Sequence, residues 1–363
     1  MKWIKYLFLT TVTALVAITI GCANQPSASN PSADSTSSPS GQPQAENVVN
    51  LYSARHYDTD RQIYDNFTQE TGIQINLVEG KEDELIERIK SEGTNSPADV
   101  FVTVDAGRLW RAQETGILQP IQSEVLESKI PEYLRDPEGR WFGLSKRARV
   151  IIYNQEKVDP AELSTYEDLA DPKWKGRIIV RSSNNIYNQS LVGAILAANG
   201  AEKTEEWAKG LAANFARPPE GNDVSQIKSI AEGVADIALV NTYYVARLAN
   251  SDNAENRAAV EKIGLFFPNQ NDRGTHVNIS GAGVVVTAPH KENAIKFLEY
   301  LVTPEAQMIF AKSNNEFPVV EDAKLENPFL EKYIPFQEDD VNAGVVGKNN
   351  AEALQIMDRA GWK

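Results

Sequence analysis

Residues 48–80, VVNLYSARHYDTDRQIYDNFTQETGIQINLVEG, decide the fold class of this chain. The apolar run at each end of the stretch is typical of a buried strand. Between the two runs, Asp58 is a helix N-cap residue and Gly72 is a helix stop. Ile63 and Phe67 lie on one face of the helix that they enclose. This order of strand, helix and strand predicts an α/β fold built on a parallel sheet.

The same alternation continues along the chain. Strand candidates recur in ADVFVTVD, GRIIVRS, ADIALVN, KIGLFFPN and GAGVVVTAP, and the long KENAIKFLEYLVTPEAQMIFAKSN stretch is helical in pattern. Two sheets of about five strands each fit usual sheet and domain sizes better than one sheet of ten. We therefore predict two α/β lobes with a cleft between them, where ligands bind beyond the carboxyl ends of the strands.

The acidic composition limits the classes of partner. The 363 residues carry a formal net charge of −14. Such a surface repels phosphate backbones, so we expect no nucleic-acid partner.

The first 22 residues, MKWIKYLFLTTVTALVAITIGC, have the pattern of a secretory signal, with a cationic start, an apolar run and a small-residue end. The alternative is a transmembrane anchor, since the run is at the lower length limit of a spanning helix. Cys22 is the only cysteine, which excludes disulfide bonds. Its position resembles that of a bacterial lipobox, although Thr19 stands where Leu is usual. We expect a signal of the lipoprotein type over 1–22, with lipid attached at Cys22.

The next segment, residues 23–46, is rich in Ser, Pro, Ala and Gln and contains almost no large apolar residues. A segment of this composition cannot bury enough surface to fold and predicts a disordered linker.

Tyrosines follow three of the predicted strands. Tyr57, preceded by His56, comes after the first strand, and Tyr187 lies in a polar turn after GRIIVRS. Tyr243 and Tyr244 come directly after ADIALVN and the turn residues that end it. Neighbouring side chains point to opposite faces within a strand, but that alternation ends with the strand. Both phenols of the adjacent pair can therefore reach one ligand in the cleft.

A cluster of phenols has several chemical uses. A free phenol has a pKa of about 10, so its oxygen is a poor ligand unless a strong Lewis acid displaces the proton. Fe³⁺ does this well, because a hard trivalent cation prefers anionic oxygen. Packing, hydrogen bonding, and stacking on sugars or cationic amines remain alternatives.

Three arginines are candidates for a place beside the ligand or for binding an anion. Arg55 precedes the His-Tyr pair, and Arg247 lies three residues after Tyr244, one helical turn away. Arg147 belongs to SKRARVIIYN, which is either a solvated strand start or a source of positive charge for the cleft. We interpret His276 and His290 as structural or exposed.

Several stretches together resemble the bacterial periplasmic ferric-iron-binding proteins of the FutA or IdiA type, which supply an ABC importer. The stretches are NLYSARHYDTD, ADVFVTVDAGRLWRAQETGILQPI, WFGLSKRARVIIYN, YEDLADPKWKGRI, ADIALVNTYYVARL and NISGAGVVVTAPHKENAIKFLEYLVTPEAQ. The first and fifth point to iron, whereas the fourth and sixth occur widely among binding proteins of this fold.

The resemblance implies a two-lobe periplasmic-binding-protein fold, of the Venus-flytrap kind, with a hinged cleft. It implies an Fe³⁺ site made by His56, Tyr57, Tyr187, Tyr243 and Tyr244, with a synergistic anion in some members. We expect the first lobe to span 47–147 plus 277–330 and the second to span 148–276. Residues 331–363 are expected to pack on the outside.

The resemblance therefore implies a periplasmic Fe³⁺-binding protein that is not an enzyme. We expect it to be a monomer and to have a membrane permease as its partner. No nucleophile elbow, HExxH motif or phosphate loop occurs in the sequence. A binding protein for a polyamine or sugar, using the same aromatic cleft, is the second interpretation.

Overall fold

A computed structural model describes residues 47–55 and 57–363. The predicted signal, linker and lipidation site, as well as His56, lie outside the described residues. Within the described part, no helix is long and apolar enough to cross a membrane.

Eight strands in the described residues form the sheet framework. They are β1 (Val48–Ser53), β2 (Gln74–Glu79), β3 (Val100–Val104), β4 (Phe142–Asn154), β5 (Ile178–Ile179), β6 (Ile237–Asn241), β7 (Ile263–Phe266) and β8 (Val277–Val284).

Thirteen α-helices in the described part cover this framework. They are α1 (Asp60–Thr71), α2 (Glu82–Glu92), α3 (Ala106–Glu114), α4 (Glu124–Lys129), α5 (Ile186–Asn199), α6 (Ala201–Ala213), α7 (Asp223–Ala231), α8 (Thr242–Ala249), α9 (Ala254–Glu261), α10 (Lys291–Leu301), α11 (Pro304–Asn314), α12 (Ala343–Lys348) and α13 (Asn350–Arg359).

The strands run in the order β2-β1-β3-β8-β4-β6-β5, with β7 also paired to β4. Only the β1–β2, β1–β3 and β5–β6 pairs are parallel. The remaining pairs, all of which involve β4 or β8, are antiparallel. The expectation of a purely parallel sheet is therefore wrong, because two antiparallel strands join the parallel units.

The long strand β4 connects the two halves of the molecule. Its residues up to Ala148 pair with β8, whereas Arg149 and the residues after it pair with β6 and β7. We call the sheet region of β1, β2, β3, β8 and the start of β4 the first half, and the rest the second half. The predicted two separate sheets are instead joined through this shared strand.

Side-chain alternation in the second half separates two hydrophobic cores. Val150 and Ile152 belong to a core that extends from the first half, while Ile151 between them belongs to a core on the opposite face. On β6, Val240 belongs to the first of these cores and Leu239 to the second. This is the period of two that a pleated strand imposes. It means that helices cover both faces of the second half.

The C-terminal segment, residues 331–363, contributes buried side chains to the interior and does not only cover the outside of the fold. Helix α12 contacts both α3 of the first half and α5 of the second, and α13 contacts α5 and α6. Met357 and Trp362 are fully buried in the second core. The last helices therefore pack against both halves of the molecule.

Candidate metal centre

The adjacent tyrosines lie at the start of a helix. Strand β6 ends at Asn241, the N-cap of α8, so Tyr243 and Tyr244 fall in the first turn of that helix. Their ring centroids are 4.2 Å apart with an interplanar angle of 31°. The strand alternation has ended at this point, so the two phenols lie side by side.

Tyr187 joins this pair from a different element. It lies in the first turn of α5, rather than in the polar turn that the sequence predicts. Its hydroxyl oxygen accepts a hydrogen bond from the Tyr243 hydroxyl over 3.3 Å. Two helix starts of the second half thus bring three phenols together.

Tyr57 comes from the first half, in the loop between β1 and α1. Its carbonyl oxygen accepts from the amide N–H of Asp60, at the first residue of α1. The Arg55 guanidinium carbon lies 4.7 Å from the centroid of the Tyr57 ring. Tyr57 is close enough to Tyr187 and Tyr243 for their charges to affect one another. Tyrosines from three separate segments therefore share one region between the halves.

The pKa values of three phenols, those of Tyr57, Tyr243 and Tyr244, are raised. Burial raises the pKa of Tyr243 well above its usual value, and the phenols of Tyr187 and Tyr57 raise it further. Burial and the Glu316 carboxylate raise the pKa of Tyr57, against the opposing effect of Arg55. Burial and Tyr187 also raise the pKa of Tyr244. These phenols are protonated at neutral pH, so only a cation that displaces the proton can use them as anionic ligands.

Arg149 organises the tyrosines of the second half. It is 2% exposed. Its Nη2 donates to Asn188 Oδ1 (2.7 Å), next to Tyr187, and its Nη1 donates to Asn241 Oδ1 (3.0 Å), at the start of α8. Nη1 also donates to Asp223 over 2.9 Å. One side chain thereby fixes the relative positions of the two helix starts.

Arg55 has a comparable role in the first half. Its Nε donates to Asp60 over 2.9 Å, and both of its terminal nitrogens donate to Glu316 Oε2 over 3.1–3.2 Å. Because Asp60 and Glu316 engage these three nitrogens, Arg55 holds the Tyr57 loop in place rather than presenting a free charge to an anion.

Arg147 is a buried cation with two nitrogens that bond nothing in the described part of the chain. Its Nη1 donates to Ser280 Oγ over 3.1 Å. Its Nε and Nη2 have no partner among the residues that the structure describes. The guanidinium carbon lies 5.8 Å from the centroid of the Tyr187 ring. The interpretation of SKRARVIIYN as a solvated strand start is therefore wrong, since both Arg147 and Arg149 are buried.

The other predicted arginine lies at the periphery of the cluster. Arg247 is exposed, and its guanidinium carbon is 5.2 Å from the centroid of the Tyr244 ring. Sequence reasoning missed Arg181, whose guanidinium carbon is 5.7 Å from the Tyr187 ring centroid and which pairs with Asp223. Its place at the end of GRIIVRS, six residues before Tyr187, is the signal that could have indicated it.

Glu316 was also missed, and no local pattern marks it. It lies beyond α11, some 260 residues from the loop that it binds. The two histidines that were not predicted to be ligands have structural positions. His276 is buried, and His290 Nδ1 lies 3.0 Å from Asp99 Oδ2.

A polar cavity of about 440 Å³ adjoins the start of α5. Arg181, Ile186 and Gln189 line it from the second half, while Glu82 and Arg108 line it from α2 and α3 of the first half. The two halves therefore face each other across a polar opening beside Tyr187.

Comparison with known proteins identifies the family. Residues 95–337 match the family described as bacterial extracellular solute-binding protein. The whole chain is 53% identical to iron uptake protein A1 of Synechocystis sp. and covers 99% of that protein. A solved Trichodesmium structure, described as IdiA (FutA) in complex with iron and citrate ligands, is 63% identical, with a TM-score of 0.85. The match covers 87% of this chain and 100% of that one. This chain belongs to the FutA/IdiA family.

More distant members have the same architecture. Ferric iron-binding protein A of Mannheimia haemolytica, solved in an open conformation, is 37% identical with a TM-score of 0.81. That match covers 87% of this chain and 98% of the other. The FutA/IdiA proteins have the two-lobe solute-binding fold, and they serve transport rather than catalysis. The predicted resemblance and fold class are confirmed.

Proposed function

We propose that this protein binds Fe³⁺ between its two halves through His56, Tyr57, Tyr187, Tyr243 and Tyr244, and delivers it to an ABC importer. The observation that carries the proposal is the convergence of four buried or half-buried phenols from three chain segments. Anionic oxygen is the ligand type that Fe³⁺ prefers. The iron-containing Trichodesmium relative and the Synechocystis iron uptake protein support this choice of cargo.

The charge balance supports a neutralising arginine beside the metal. Four phenolates would outweigh the charge of Fe³⁺ by one unit, in a site where burial disfavours net charge. Arg147 supplies a buried positive charge that offsets this excess, and its N–H groups that have no partner among the described residues can donate to an anionic oxygen of a carbonate or carboxylate. The citrate in the Trichodesmium structure is an anion of this class.

The halves would act as hinged lobes, spanning 47–147 plus 277–330 and 148–276. Strand β4 changes partners between Ala148 and Arg149, close to that division. Metal ligands from both sides would hold the lobes together, in the manner of hinge closure around a ligand. The open form of the Mannheimia protein supports such a motion.

The family places the protein outside the cytoplasm, with a membrane permease as its partner. We propose that it works as a monomer in the periplasm and that lipid on Cys22 tethers it to the membrane. A polyamine is a poorer cargo, because Arg147, Arg181 and Arg247 all lie beside the tyrosines and would repel it.

An absorption titration of the iron-stripped protein with chelated Fe³⁺ tests the assignment. Phenolate-to-iron charge transfer gives a visible band, which we expect to saturate at one equivalent. The Tyr243→Phe/Tyr244→Phe variant should lose tight binding and most of the band, whereas Tyr153→Phe on β4 is a matched control that should keep both. An unchanged band in the double variant would refute the ligand assignment.

A further inference from the structure

Three consecutive residues, Asn314, Asn315 and Glu316, join the two groups of tyrosines. We call them the 314–316 segment. Asn314 ends α11, and Asn315 caps it in the left-handed conformation, with φ at 59°. All three residues are buried. A buried run of three polar residues needs partners for its polar atoms, and those partners lie on both sides of the proposed cleft.

The first side of the segment holds the Tyr57 loop. Asn314 Nδ2 donates to Asp60 Oδ1 over 2.7 Å, and Asn314 Oδ1 accepts from the Thr59 hydroxyl. Glu316 Oε2 accepts from both terminal nitrogens of Arg55. Residues on either side of Tyr57 are therefore bound to the same segment.

The second side reaches helix α8. Asn315 Oδ1 accepts from Asn250 Nδ2 over 3.0 Å, and Asn250 is the C-cap residue of α8. The first turn of the same helix bears Tyr243 and Tyr244. Eight helical residues form a short rigid rod of about 12 Å, so fixing its last turn also restricts its first.

The amide of Asn315 is held in one orientation. Asn327 Nδ2 also donates to its Oδ1 over 3.0 Å, from the loop that follows α11. A flipped amide would present an N–H group to two donors. The oxygen therefore faces Asn250, and the bond between the halves has a defined donor and acceptor.

We propose that the 314–316 segment is a positioning device that links the Tyr57 loop to the Tyr243-Tyr244 helix and slows release of the bound metal. This inference rests on the proposed function. The Asn250–Asn315 bond joins the two sides in the described arrangement, and movement of the halves apart would separate its donor from its acceptor. Its loss therefore favours opening of the metal-bound form, without touching any proposed ligand.

Stopped-flow release of Fe³⁺ to an excess of a competing chelator, followed at the charge-transfer band, tests the proposal. We expect Asn250→Ala to speed release about two- to tenfold, the effect of losing one hydrogen bond. Asn315→Gly, which also removes the bond from Asn327, should speed release by at least as much. Glycine at 315 keeps the left-handed backbone without strain. The double variant should release no faster than the faster single variant, because both substitutions remove the same bond.

Two further variants separate positioning from general damage. Asn250→Asp keeps the side-chain shape but sets a carboxylate against the Asn315 oxygen, so it should release faster than Asn250→Ala. Asn256→Ala removes a hydrogen bond to Ser251 within the second half and should release at the wild-type rate. The melting temperatures of the metal-free Asn250 variants should stay near that of the wild type, because Asn250 is exposed.

The outcomes distinguish the two proposals. A wild-type protein without a charge-transfer band refutes the proposed function. A wild-type band combined with unchanged release from the Asn250 and Asn315 variants refutes the coupling alone. Additive effects in the double variant would also refute it, since they would mean that the two amides act separately.

Discussion

Arg149 shows at the scale of one residue how a binding site is held by side chains that need not touch the cargo. Its guanidinium is planar with donors at fixed angles, so it can bond Asn188, Asn241 and Asp223 at once. A lysine keeps the charge but is a point donor on a flexible stem. The geometry of the second-half tyrosines therefore depends on the shape of this residue as well as on its charge.

We expect Arg149→Lys to lower the free energy of unfolding by about 1–3 kcal/mol, because at least one buried acceptor loses its partner. The charge-transfer band should broaden, because the first turns of α5 and α8 would no longer be held at a fixed distance and orientation. Urea unfolding and the iron titration measure the two effects. Arg177→Lys is the control, at a partly exposed ion pair with Asp236. It should lower the free energy of unfolding by less than about 1 kcal/mol. Equal losses in both variants would contradict the role of Arg149.

His276 makes stability depend on pH. Burial and the nearby arginines lower the pKa of its imidazole to about 3, from about 6.5 when unfolded. Between these values the unfolded chain binds the extra proton, so this contribution to stability is complete above pH 6.5 and is lost as the pH falls toward 3. At pH 4.5 the loss is about 2–3 kcal/mol.

Urea unfolding at pH 7 and pH 4.5 tests this dependence, with His276→Gln as the comparison. The variant cannot take up a proton at this position, so its stability should fall less between the two pH values. The carboxylates of the chain contribute equally to both proteins and cancel in the comparison. An identical fall in wild type and variant would show that His276 does not govern the acid response.

Sequence reasoning singles out residues whose position is marked by a local pattern. The tyrosines follow strands, and Arg147 and Arg247 lie within a few residues of a recognisable pattern. Glu316 and Asp223 could not be found in this way. Their importance comes from contacts with residues far along the chain, and a carboxylate in a loop usually marks only a solvated surface.

At the scale of elements, amphipathic helices were the most predictable. Helix α1 ends at Gly72, which adopts the left-handed conformation that glycine allows at a helix end. Strand β8 was less visible: it begins at Val277, before the predicted GAGVVVTAP. Its first residues include Asn278 and Ser280, which the fold buries by hydrogen bonding, so hydrophobicity does not mark them. The predicted GRIIVRS strand shrinks to Ile178–Ile179.

Helix α12 requires glycine where it meets α3. A Cβ on Gly347 would lie 2.6 Å from both Ala106 O and Trp110 Cβ, atoms that cannot move independently of α3. Gly347→Ala should therefore lower the free energy of unfolding by about 1–3 kcal/mol, because the added methyl group overpacks the contact with α3. Gly344→Ala in the same helix meets only side-chain atoms, at 3.0 Å or more, and should cost less. Thermal unfolding of the pair measures the difference, and equal melting temperatures would exclude close packing as the reason for the glycine.

At the scale of the whole molecule, the sequence predicted two lobes but not the path between them. Strand β4 is one continuous strand with a charged stretch, SKRAR, between its apolar ends, and nothing local shows that its partners change at Ala148 and Arg149. That change depends on β8 and β6, which lie about 90 to 130 residues away. Long-range pairing of this kind decides where the chain passes between the halves, and therefore where a hinge can act.

The proposed ligands come from both halves, so closure of the halves can be tested separately from metal binding. His56→Ala/Tyr57→Phe removes the proposed first-half ligands and leaves three phenols on α5 and α8. We expect this variant to keep a weaker charge-transfer band, because phenolates still reach the metal. Its radius of gyration in solution scattering should not decrease when iron is added, because the metal no longer bridges the halves.

Tyr187→Phe is the matched control, since it removes a second-half ligand and leaves metal contacts on both sides. It should also weaken the band, yet still become more compact with iron, as the wild type should. Iron-dependent compaction of His56→Ala/Tyr57→Phe to the wild-type extent would show that closure does not require ligands from the first half. The 314–316 segment, with its bonds to both sides, and helix α12, which contacts α3 and α5, would then be links between the halves that can favour closure without the first-half ligands.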